Sequence, residues 1–153
     1  MIRAFLLFVL ISGLTVSSYG QRTTGVGARW GTVNGFTVKH WTNNINSIDG
    51  TLSYTIKEFA FVDLNYSWHF SGLIDKYTIF FYWSHGAFVG KSSGKGKSLS
   101  EKFPSWYTGA SIRGGVSVPI GNIDIAVESG GRSTVLPKVF GELFTEGIIR
   151  YWF

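Results

Sequence analysis

Eight times along this chain, apolar residues alternate with small or polar ones at a period of two. The clearest stretch sets Ala60, Val62, Leu64, Tyr66, Trp68 and Phe70 against Phe61, Asp63, Asn65, Ser67 and His69. That period puts successive side chains on opposite faces of a β-strand, whereas a helix needs 3.6. The same alternation marks strands near 26–31, 36–41, 48–56, 77–84, 110–118, 123–128 and 143–153.

The two faces differ in an unusual way. One is rich in aromatic and aliphatic residues. The other carries Gly, Ser, Thr and isolated charges of both signs, and Lys is nearly absent where a soluble sheet edge usually keeps several. Charged residues make up 15% of the chain, below the roughly 25% of soluble domains, while aromatics reach 17%. A wall facing lipid between aromatic girdles has this composition. In lipid every backbone donor must be paired, so β-strands cross only as a closed barrel. The expected fold is all-β: a closed antiparallel eight-stranded transmembrane β-barrel. The rival is a soluble secreted sandwich.

Residues 1–20, MIRAFLLFVLISGLTVSSYG, read as a signal peptide. Arg3 supplies the positive start, Ala4 to Ile11 the apolar run, and Ser18 and Gly20 the small residues before a cut at Gln21. The run is too short to span a bilayer as a helix, which takes about 20 residues. The division is therefore a leader over 1–20 and a barrel domain over 21–153, exported to the outer membrane. With 0 Cys, the chain has no disulfide scaffold, Cys-ligated zinc, iron–sulfur cluster or cysteine nucleophile.

Strand order puts both termini at one end and the odd-numbered links at the other. The two longest links read as the fifth, Gly90 to Ser105, and the seventh, Ser129 to Gly141. Both fall on the outer side, where barrels of this kind carry their longer loops. Gly121-Asn122 reads as a tight turn on the inner side.

The polar faces place Arg29, Lys39, Arg113 and Arg150 inside the barrel with Asp49, Asp63, Glu128 and Glu146. Asp124 joins them, or stands as a solvated rim charge beside its turn. Eight strands leave an interior just wide enough for side chains, and an unpaired buried charge costs several kcal/mol. A plug of paired charges is the expected result. The alternative is a narrow gated channel for small solutes or ions lined by the same groups.

A third reading is a lipid A-modifying enzyme, since His69 and Ser71 share a face and Asp75 follows. Against it, His69 lies inward beside a periplasmic turn, remote from the outer leaflet, and Gly72 stands where the deacylase pattern has Asn. No catalytic residue, cofactor or metal site is assigned. Gly109 to Gly115 lies on a strand, not at a strand-to-helix turn that would cradle a phosphate. Its glycines are expected to admit bulky neighbours inside the barrel. Lys91, Lys95, Lys97 and Lys102 crowd the fifth link. They form either a solvated loop or a contact for lipopolysaccharide phosphates. Nucleic acid is not an expected partner.

The chain ends GIIRYWF, with Ile149, Tyr151 and Phe153 on one face. This ending resembles the C-terminal signal read by the barrel-assembly machinery. With the leader and the eight-strand layout, the mature chain is similar to small eight-stranded outer-membrane barrels of the OmpA/OmpX type. The resemblance implies insertion by that machinery, contact with outer-membrane lipids, and a structural or cell-surface role. It does not select one function, because the fold carries several.

Overall fold

The computed structural model describes residues 23–54, 59–71, 79–92, 106–136 and 139–153. They form one closed antiparallel barrel of eight strands in chain order. The strands are β1 (Thr24–Gly31), β2 (Asn34–Trp41), β3 (Asn46–Tyr54), β4 (Phe59–Ser71), β5 (Phe80–Ser92), β6 (Trp106–Ile120), β7 (Ile123–Leu136) and β8 (Phe140–Trp152). Pairing of β1 with β8, from Gly25 opposite Trp152 to Gly31 opposite Glu146, closes the wall. Beyond the last pair, Phe153 N donates to Thr24 O at 3.0 Å. The leader assigned to 1–20 lies outside the described residues.

The registers fix the stagger. From Tyr151, the line of partners runs through Val26, Val38, Gly50, Leu64, Ala87, Ala110 and Ser133. It returns to β8 at Gly141, ten residues from its start. Ten residues of rise over eight strand spacings tilt the strands about 40° from the axis.

The faces fall as the alternation expects. Leu64, Phe36 and Ile112 point outward and are more than half exposed, while Asp63, Thr37 and Arg113 on the same strands point inward and are buried. The apolar side is thus the outside. Inside, paired polar groups replace the usual oily core. A small apolar cluster of Val33, Phe61 and Phe88, with Tyr107 against it, closes the end opposite the termini.

Three expectations about connections are corrected. The seventh link is not Ser129 to Gly141: β7 runs to Leu136 and β8 starts at Phe140. The alternation continues through SGGRST, with Arg132 and Thr134 buried, Ser133 between them half-buried and Val135 after them exposed, but small outward residues gave the segment the look of a loop. Of the two links expected to be long on the outer side, the seventh is thereby removed and only the fifth is left. The fifth strand begins at Phe80 and reaches Ser92, well past the expected 77–84. The tight turn at Gly121-Asn122 stands, and Gly121 takes φ +61, the left-handed conformation that two-residue hairpins favour.

Two inward glycines are required by their neighbours. A Cβ on Gly115 would fall 2.6 Å from the Tyr82 hydroxyl, and one on Gly109 would strike the Phe88 ring. Both belong to the segment whose glycines were expected to make room inside.

Candidate functional site: the barrel interior

The interior is built in three tiers by the inward positions of all eight strands. In the middle tier, Arg113 on β6 donates to Glu128 on β7 at 3.2 Å and to Asp63 on β4 through its other amino group. Tyr82 OH donates to the second oxygen of Glu128 at 2.7 Å. Arg29 on β1 pairs with Glu146, lies 3.6 Å from Glu128, and donates to Thr51 at 3.1 Å. Asn65 donates to Asp63 and accepts from Ser111 at 2.8 Å, so neutral polar groups fill the gaps between ion pairs.

Nearer the termini, Arg150 reaches Asp124 at 3.1 Å and Asp49 at 3.4 Å. Asp49 also accepts from Ser47 at 3.1 Å and Ser67 at 2.8 Å. Asp124 accepts from Ser117 and is 2% exposed, so it is a member of the network and not a solvated rim charge. Its place beside a turn suggested otherwise, but the β7–β8 register sets Arg150 directly opposite it.

At the opposite end the network continues into residues read as a loop in the sequence. Arg132 reaches Glu146 at 3.1 Å and Glu142 at 3.0 Å. Its guanidinium carbon stands 4.4 Å from the Phe144 ring centre and 4.8 Å from that of Phe61. Arg132 and Glu142 were missed because their strand ends were. An isolated Arg at an inward parity was the available signal.

Among the described residues, five cations, Arg29, Lys39, Arg113, Arg132 and Arg150, and five carboxylates, Asp49, Asp63, Asp124, Glu128 and Glu146, are buried inside. Glu142 is only partly covered. Among the described residues the fully buried charges therefore balance in number.

His69 lies inward at the end of the termini, as its parity required. Lys39 Nζ is 2.8 Å from its Nε2, and its Nδ1 is 3.2 Å from the Ile45 carbonyl. An ammonium only donates, so Nε2 accepts and Nδ1 carries the proton to Ile45. Both ring nitrogens are thereby committed, and neither is left to take a proton from a serine. Asp75, the acid considered with Ser71, lies outside the described residues. So do Lys95, Lys97 and Lys102. Lys91 is exposed at the far end of β5, with Nζ 5.6 Å from the Trp106 ring. Among the described residues no group of three His, Asp or Glu is arranged for a metal ion.

No family description and no curated protein matches this chain by sequence. Its structure is similar to the N-terminal β-barrel domain of Pseudomonas aeruginosa OprF. The TM-score is 0.68 at 13% identity, over 88% of this chain and 99% of that domain. The chain shares the fold of the OprF barrel. A looser likeness, TM-score 0.42 at 15% identity, joins it to Ail, the attachment invasion locus protein of Yersinia pestis, over 86% of this chain and 97% of that one. At 13% identity the likeness to OprF is one of fold: eight strands and their order recur while most side chains differ.

Proposed function

We propose that this OprF-like barrel resides in the outer membrane and serves a structural or cell-surface role without turnover, its interior sealed by paired charges. The observation that carries the reading is the inversion of the wall. Apolar side chains such as Leu64 at 61% and Phe36 at 63% exposure face outward, while ten charged side chains are buried inside. Water would not tolerate that exterior on a monomer, and lipid requires it. The middle tier supports a plug in preference to a channel, since Glu128 alone engages Arg113, Tyr82 and Arg29 from three other strands. The basic stretch 91–102 then meets the phosphates of lipopolysaccharide at the outer rim.

Conductance across planar bilayers tests the seal. The purified barrel should add no steady ion current over the lipid background. A steady, protein-dependent current would replace this reading with the channel.

A further inference from the structure

The plug does not fill the barrel. At the end of the termini a cavity of about 680 Å³ opens, a size typical of small-molecule sites. Trp41, Phe80 and Trp152 give it aromatic walls, Thr23 and Thr42 stand at its mouth, and Lys39 and Asp124 face it from the interior. The Trp41 ring centre is 6.2 Å from Phe80 and 6.4 Å from Trp152, so the three rings adjoin one another in its lining.

The two charged groups are not equally occupied. Asp124 is taken by Arg150 and Ser117. Lys39 is 1% exposed, yet among the described residues its Nζ makes one hydrogen bond, to His69. Its nearest carboxylate, Asp49, stands 3.9 Å away, beyond hydrogen-bonding distance, and is itself held by Arg150, Ser47 and Ser67. The remaining contacts of the ammonium are ring faces, Tyr82 at 4.5 Å and Trp41 at 5.4 Å. An ammonium has three donors. Among the described residues two have no acceptor, on a buried cation that lines an aromatic cavity.

We infer that this cavity is a binding site for a flat apolar monoanion, its anionic oxygens received by Lys39 and its body held against the wall of Trp41, Phe80 and Trp152. A neutral analogue offers weaker acceptors, and a cation meets the ammonium with like charge. The chemistry selects an aromatic or alicyclic carboxylate or sulfonate.

The test uses the barrel refolded in detergent, labelled with ¹⁵N, and three probes with one ring system: 2-naphthoate, 2-naphthylmethanol and 2-naphthylmethylamine. The readout is the indole N–H signals of Trp41 and Trp152, which report the cavity rather than the micelle. Naphthoate should shift both saturably, and the alcohol and amine should bind about tenfold more weakly or worse. Lys39→Met should remove that preference. Thr23→Trp leaves Lys39 in place and narrows the mouth, and it should weaken naphthoate even if Lys39→Met fails to fold. Equal shifts by all three probes, no saturable shift by naphthoate, or unchanged naphthoate binding in Thr23→Trp would overturn the site.

Discussion

Glu128 Oε2 lies 3.2 Å from Arg113 Nη1 at the centre of the barrel, while Tyr82 OH holds the other oxygen of the same carboxylate at 2.7 Å. The three residues come from β7, β6 and β5, and Arg29 of β1 stands 3.6 Å off. One carboxylate thus links β7 to its paired neighbour β6 and, through the lumen, to β5 and β1, which do not pair with β7. Glu128→Gln keeps the shape and removes the charge, leaving two buried guanidinium groups short of a partner. Breaking a buried pair costs about 3–5 kcal/mol. A drop of about 3 kcal/mol in unfolding free energy is expected, read as a lower urea midpoint of the refolded barrel with an unchanged slope.

Not every inward polar group is matched. Among the described residues, Thr37 Oγ1 is buried without a hydrogen-bond partner. Thr37→Val swaps that hydroxyl for a methyl of the same shape. The expected outcome is a gain of about 1 kcal/mol by the same urea titration, opposite in sign to Glu128→Gln.

Closure of the wall depends on close approach at the β1–β8 seam. A Cβ on Gly27 would collide with the Ile149 carbonyl and come 2.7 Å from Arg150 Cα, both backbone. Gly27→Val is expected to abolish the folded, fast-migrating band in unboiled gels. Gly141→Ala, where an added Cβ meets nothing within 4 Å, should leave that band intact.

How much of this was legible in the sequence depends on how local the signal is. Strand existence and facing were legible because a period of two needs only neighbouring residues, and Asp63 and Leu64 sit on the faces their parity assigned. The ends of β7 and β8 were not, because SGGRST carries turn-like residues, and only tertiary pairing from Ser129 to Phe140 holds it in the sheet. The contact of Lys39 with His69 joins positions 30 residues apart through the stagger of three strands, which alternation alone does not encode. The same is true of the aromatic cavity. Trp41, Phe80 and Trp152 stand at the ends of β2, β5 and β8 and meet only once the barrel has closed.

The C-terminus separates assembly from stability. Phe153 adds one backbone hydrogen bond to Thr24 and packs its ring 5.2 Å from that of Tyr151. Its deletion removes little of the β1–β8 pairing. The expected result is a strong fall in the heat-modifiable fraction in isolated outer membranes, with the urea midpoint of refolded protein changed by less than about 1 kcal/mol in free energy. An inserted fraction equal to wild type would show that the aromatic ending is no assembly signal.

The central claim is that the apolar outside of this barrel faces lipid. The chain has 0 Cys, so single nitroxide labels at Leu64, Ile112 and Val127 need no background removed. These residues stand on β4, β6 and β7 and are 61%, 56% and 56% exposed. With the barrel in lipid vesicles, collisions with dissolved oxygen and with a water-soluble nickel chelate are compared by power saturation. All three labels should be reached readily by oxygen and poorly by the nickel chelate, the accessibility of a site within the hydrocarbon. Ready access of the nickel chelate to all three would place this wall in water and contradict the account.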